Sequence, residues 1–181
     1  MKRGLISLVL IATAMLSACG QSSTDDSADF NDADVMFAQM MIPHHEQAVE
    51  MSEIALDPAS GASAAIQDLA IRIRDAQDPE IALMKSFLTA WGASVTPEDG
   101  VDHSSMMEGM LSVEELDELA SLQGPEFDAR WAAAMIAHHE GAVAMAEDVL
   151  ADGKNTETRK LAEEIIANQQ AEIDELSLIA Q

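Results

Sequence analysis

The sequence predicts an all-α chain, a four-helix bundle built from two copies of one helical hairpin and joined by a linker with a short helix of its own. Three observations lead there. Phe37–Leu56 aligns without gaps on Trp131–Leu150, and the identical positions include Met41/Met135, Ile42/Ile136, His44/His138, His45/His139, Glu46/Glu140 and Met51/Met145. The likeness resumes further on: Leu69-Ala70 matches Leu161-Ala162, Ile73 matches Ile165, and Gln77-x-x-Glu80-Ile81 matches Gln169-x-x-Glu172-Ile173, so each copy is two helices long. These segments are also rich in Ala, Leu, Met and Glu and nearly free of internal Gly, a composition that favours helix. Two copies make a duplicated hairpin, too few for a solenoid.

The chain starts with an address. Lys2 and Arg3 form a positive start, and Leu5 to Leu16 form an apolar run too short for a comfortable membrane span. Residues 1–18 read as a signal peptide. Leu16-Ser17-Ala18-Cys19 resembles a bacterial lipobox, which implies cleavage before Cys19 and lipidation of its thiol. The expected location is therefore extracytoplasmic, in the periplasm or at the cell surface, with a lipid anchor in the membrane. Residues 19–31, rich in Ser, Asp and Thr, read as a flexible tether.

The first hairpin is expected over 32–91, with helices near 32–56 and 62–91 broken by Asp57-Pro58 and Ser60-Gly61. Pro43 and Pro79 fall inside helical patterns, where each is expected to kink its helix. Residues 92–124 belong to neither copy. Within them Leu111 to Leu122 reads as a short acidic helix, with Ser112 and Glu115 in capping-box spacing. The second hairpin covers 125–181, with helices near 125–151 and 156–180 broken by Asp152-Gly153-Lys154-Asn155. Pro125 suits a first helical turn. Such short connections make the helices of each hairpin antiparallel neighbours, and the repeat places a pseudo-two-fold axis between the hairpins of a single domain over 32–180.

Composition narrows the function. With 33 acidic against 9 basic residues, a net charge of −24 and a pI near 4.1, the chain lacks the basic face that nucleic acid requires. One Cys excludes an internal disulfide and Cys-built zinc or iron–sulfur centres. With that thiol lipidated, any soft metal ligand is Met or His, and the chain has 12 Met.

At about 100° per residue, Met41, His44, His45 and Met51 share a broad helix face that must also be buried, with the small Ala48 between the histidines. Met135, His138, His139 and Met145 repeat that geometry around Ala142. On the second helix, Ile66, Ala70, Ile73, Met84, Phe87 and Trp91 mark a core stripe on which Gln77 and Glu80 also fall. Gln169 and Glu172 do the same on the fourth. A buried Glu needs a partner, and a carboxylate or amide that orients a metal-bound imidazole is the usual support of such a ligand.

Thioether with imidazole favours copper, Cu(I) above all, with zinc the next choice. His103, Met106, Met107 and Met110 in the linker are either a second candidate ligand group or an amphipathic stretch that packs on the bundle. The alternative is that the histidines are core residues satisfied by Gln and Glu, in a non-metal structural or interaction module at the cell envelope. Enzyme motifs are missing. His45-Glu46 and His139-Glu140 lack the second His of a zincin, no Glu-x-x-His pair suggests a di-iron centre, and no nucleophile elbow or phosphate loop is present. The expectation is a non-enzymatic metal-binding protein for storage, sequestration or delivery.

Met41-Ile-Pro-His-His-Glu-Gln-Ala48, Gln77-x-x-Glu-Ile81, Gly124-Pro-Glu-Phe-Asp128 and Met135-Ile-Ala-His-His-Glu-Gly-Ala-Val-Ala-Met145 together resemble the DUF305 family, over roughly residues 32–180. The resemblance implies a ferritin-like four-helix bundle in a secreted or periplasmic protein. Some members are implicated in copper binding and tolerance. Carried onto this chain, it implies Met41, His44, His45, Met51, Met135, His138, His139 and Met145 as candidate ligands.

Overall fold

The structure, a computed structural model, describes residues 29–96 and 107–180. The expected signal peptide, Cys19, most of the tether, His103 and Met106 lie outside the described residues. Those described are helical apart from caps, turns and connections: α1 (Asp32–Leu56), α2 (Ala64–Trp91), α3 (Val113–Ser121), α4 (Gly124–Asp152) and α5 (Thr156–Ile179), with a 3-10 turn at Pro58–Ser60. None of the described helices is long and apolar enough to cross a membrane.

Local chemistry sets the ends. Asn31 caps α1 in a reciprocal box with Asp34, and Ser112 caps α3 with Glu115 as the spacing predicts. Ser63 and Asn155 cap α2 and α5. Gly92 ends α2 in the left-handed conformation that glycine adopts without a Cβ penalty. Pro125 sits in the first turn of α4. Pro43 and Pro79 lie within helices that run on past them on both sides.

α1 packs on α2, α4 on α5, and α1 on α4, giving two hairpins joined through their first helices. Repeat-related carboxylates fasten one hairpin to the other. Buried Asp34 on α1 accepts from the backbone N–H groups of Lys154 and Asn155 in the α4–α5 turn, each at 3.0 Å. Its counterpart Asp128 on α4 accepts from Ser63 N–H at the start of α2, at 3.1 Å. Trp131 adds a buried bond from its indole N–H to the Met51 carbonyl, at 2.9 Å.

The interior is two apolar cores with a polar layer between them. One core gathers Met51, Ile66, Ile73, Leu119, Phe127, Trp131, Met135 and Leu176. The other gathers Phe37, Met41, Met84, Leu88, Val149, Leu161 and Ile165. Along every long helix the switch from one core to the other occurs at the same place: His44 and His45 on α1, Gln77 and Glu80 on α2, His138 and His139 on α4, Gln169 and Glu172 on α5. Of the stripe expected on α2, Ile66, Ala70, Ile73 and Met84 are fully buried. Phe87 and Trp91 are only half-buried. They lie at the rim of the bundle, where Trp91 stacks on Phe30 with ring centroids 4.9 Å apart.

Candidate functional site

The polar layer holds four histidines with no solvent exposure. Two of them are bound alike. His45 Nε2 lies 2.8 Å from Glu80 Oε2, and His139 Nε2 lies 2.8 Å from Glu172 Oε2. A carboxylate accepts, so each Nε2 donates, and each Nδ1 is buried without a hydrogen-bond partner. The two pairs reproduce one contact at repeat-related positions, Glu80 and Glu172 each meeting an imidazole.

The other two histidines meet at the bundle axis. The rings of His44 and His138 are tilted at 41° with centroids 3.8 Å apart, and the His138 and His139 centroids are 6.4 Å apart. His44 Nε2 faces the Glu108 carbonyl at 3.4 Å. That carbonyl also only accepts, so the His44 lone pair again lies on Nδ1. Burial, with His45 and His139 nearby, pushes the His44 imidazole down to about 3. Burial acts on His138 in the same direction, helped by His44, His139 and His45, and holds it well below the usual range. Both rings are neutral at physiological pH, the form that coordinates metal.

Buried nitrogen and oxygen atoms normally find partners, and each exception calls for a reason. Among the described residues, those without one are Nδ1 of His44, His45 and His139, both nitrogens of His138, both polar atoms of Gln77, and Oε1 of Gln169. All belong to three repeat-related pairs in one layer. Gln77 and Gln169 are thus buried beside the imidazoles without bonding to them. A metal ion or other polar guest would give these lone pairs their missing partner. Among the described residues, no three or more His, Cys, Asp or Glu side chains are arranged to hold a metal ion.

The structure distributes the expected methionine ligands. Met41 is fully buried in one apolar core, Met51 and Met135 in the other. Met145, half-buried, lines a surface cleft together with Met107, while Met110 is half-buried beyond it.

Sequence reasoning allowed the linker to pack on the bundle but missed that it crosses the histidine layer. The segment from Met107 to Leu111 crosses the histidine faces of α1 and α4. Gln47 holds it by donating to the Leu111 carbonyl at 2.8 Å and accepting from Leu111 N–H at 2.7 Å. Gly141, the repeat equivalent of Gln47, admits it from the other side. A Cβ on Gly141 would stand 2.0 Å from the Glu108 carbonyl oxygen and 3.3 Å from His44 Nε2. Gly109, at φ +83°, approaches so closely that a Cβ there would meet the Ala137 carbonyl oxygen at 2.1 Å. The signal available in the sequence was the Gln47/Gly141 mismatch inside an otherwise faithful repeat.

Fold and site together define a duplicated-hairpin helical bundle with a buried histidine layer. The profile of a domain of unknown function, DUF305, matches residues 34–180, and the chain belongs to that family. A DUF305 fragment from Deinococcus radiodurans is 28% identical with a TM-score of 0.75, covering 84% of this chain and 98% of that one. A DUF305 protein from Streptomyces coelicolor is 29% identical with a TM-score of 0.71, covering 80% and 89%. CopM in its Cu(II)-bound form is 33% identical with a TM-score of 0.70, covering 82% and 95%. CopM has also been solved with Cu(I) and with silver. No curated protein matches the chain.

Proposed function

We propose that this chain is an extracytoplasmic copper carrier whose metal is held by the imidazoles of the polar layer. His44 and His138 supply the inner nitrogens, His45 and His139 the flanking ones, and Glu80 and Glu172 fix the flanking rings with Nδ1 free. The observation that carries the reading is that, among the described residues, the unpartnered buried polar atoms all lie in that layer. Neutral imidazole with thioether from Met41, Met51 or Met135 is a donor set for Cu(I) ahead of zinc. Likeness to a protein solved with Cu(I) and Cu(II) supports the choice of metal. The role proposed is storage, sequestration or delivery without bond-making chemistry. Tethering through lipidated Cys19 belongs to the same proposal, and mass spectrometry of the membrane-bound protein tests it.

A second reading, a bundle whose histidines only pack, draws on the lack of three arranged His, Cys, Asp or Glu side chains among the described residues. Titration with Cu(I) against a competing chelator separates the two. The carrier reading expects tight binding that falls when His44, His45, His138 and His139 are replaced by Ala, and a metal-dependent rise in unfolding temperature. The packing reading expects neither, only a less stable variant.

A further inference from the structure

Four methionines from three different segments line one surface cleft of about 510 Å³: Met36 and Met40 on α1, Met107 in the linker and Met145 on α4. Asp148 and Asp152 stand in its wall, as do Glu108 and Gly141. These last two also touch the polar layer: the Glu108 carbonyl faces His44, and Gly141 is the opening through which it does so. The cleft and the imidazole layer therefore meet across one strand of linker.

The repeat supplies a control for this cleft. The positions equivalent to Met36, Met40 and Met145 are Arg130, Ala134 and Met51. On that side the α1–α4 surface is closed: Arg130 pairs with Glu115 of α3 at 3.9 Å, and Ala134 and Met51 lie in the core with Leu111 and Leu119. On the Met side the surface is open, and Met36 is 63% exposed. Methionine as packing filler belongs in irregular interiors. Here Met36, Met40 and Met145 face an open cleft at or near the surface, and at two of these positions, Met36 and Met40, the other copy of the same fold carries Arg and Ala instead.

We propose that Met36, Met40, Met107 and Met145 form a separate thioether site that captures a soft monovalent cation, Cu(I) or Ag(I), on the outer side of the imidazole layer. Thioether sulfur is neutral and polarizable, so it binds soft ions without releasing a proton and discriminates against Zn(II) and other harder ions. Asp148 and Asp152 raise the local cation concentration without themselves conferring that selectivity. The proposal deepens the reading of the chain as a copper carrier and rests on it: the cleft receives the ion that the layer stores.

The test uses the full chain and Ag(I) as a redox-inert probe, with Cu(II) as the contrast. The variant carries Met36→Leu, Met40→Leu, Met107→Leu and Met145→Leu, near-isosteric changes that preserve packing. Calorimetric titration is expected to show that it loses one equivalent of Ag(I) per chain and keeps its Cu(II) uptake. The His44→Ala/His138→Ala variant is expected to keep the equivalent that the Leu variant loses, with sulfur-only coordination of the silver by X-ray absorption. Wild-type Ag(I) stoichiometry and affinity in the Leu variant overturns the cleft and leaves the carrier reading standing. Loss of Cu(II) in the Leu variant also overturns it, because the two sites are then one. If the His variant loses nothing while the Leu variant does, the imidazole reading falls and the cleft remains. Should the quadruple variant unfold, Met36→Leu alone alters an exposed residue, and unchanged Ag(I) affinity in it counts against the site.

Discussion

The two hairpins carry the same His-His-Glu triplet, yet the next residue is Gln47 in one and Gly141 in the other, and the linker treats the halves accordingly. Gln47 grips Leu111 with both ends of its amide, while Gly141 makes room for the Glu108 carbonyl. One histidine of the inner pair, His44, gains a contact from that carbonyl, and its equivalent His138 gains none at either nitrogen. The flanking pairs His45–Glu80 and His139–Glu172 lie away from the linker and remain alike at 2.8 Å. Duplication builds the layer, and a single chain crossing it breaks its symmetry.

The comparison is broken most severely by restoring the repeat. Gly141→Gln places a Cβ 2.0 Å from a backbone oxygen, so either the linker or α4 must shift. The expected loss is about 3 kcal/mol or more in urea unfolding. A change within about 0.5 kcal/mol, the range of ordinary surface substitutions, would show that the linker yields freely.

The clasps between hairpins come next. Asp34 is buried and accepts from two N–H groups of the opposite turn as well as from Asn31, while Asp128 is partly exposed and, among the described residues, bonds Ser63 alone. Asp34→Ala is expected to cost about 3 kcal/mol and Asp128→Ala about 1 kcal/mol, since uncompensated buried donors carry most of the penalty. Equal losses would mean that burial does not distinguish the two ends.

Acid provides a third test, without mutation. His44 and His138 titrate near 6.5 when unfolded and far lower when folded, so below pH 6.5 the unfolded chain binds protons that the folded chain does not. Their contribution is complete above pH 6.5 and declines as pH falls, by about 1.4 kcal/mol per pH unit for each ring. Facing His44 are His45, His139 and the Glu108 carbonyl; facing His138 are His44, His139 and His45. In the metal-free protein His138→Asn is expected to reduce the slope between pH 6.5 and 5 by about half. An unaltered slope would show that these rings are not the groups being protonated.

The smallest effect concerns the symmetric contacts. Glu80→Gln and Glu172→Gln each weaken one charge-assisted bond to an imidazole, for an expected cost of about 1 kcal/mol apiece. Thermal unfolding of the pair should give matching shifts, and a clear inequality would break the likeness of the flanking pairs.

Much of this was legible in the sequence. The repeat alone gives two hairpins, and turn residues place most helix ends within two residues of those observed. Helical spacing alone puts the four histidines, Glu80 and Glu172 on faces that must be buried. What lay beyond reach was long-range. Nothing local says that the His44 and His138 rings meet across the bundle, or that Met41 enters one core while Met51 enters the other. Gln77 and Gln169 share the imidazoles' layer but not their hydrogen bonds, which depends on side-chain direction. Met36 and Met40 lie toward the edge of the histidine face of α1 and acquire meaning only where α4 and the linker come alongside.

The central claim is that the lone pairs of the polar layer hold copper. Nitrogen-15 NMR of the full chain with labelled imidazoles, titrated with diamagnetic Cu(I), addresses it atom by atom. The Nδ1 resonances of His44 and His138 are expected to move to saturation with bound metal, while the Nε2–H of His45 and His139 stays bonded to Glu80 and Glu172. Saturable Cu(I) binding that leaves all four imidazoles unmoved would contradict it.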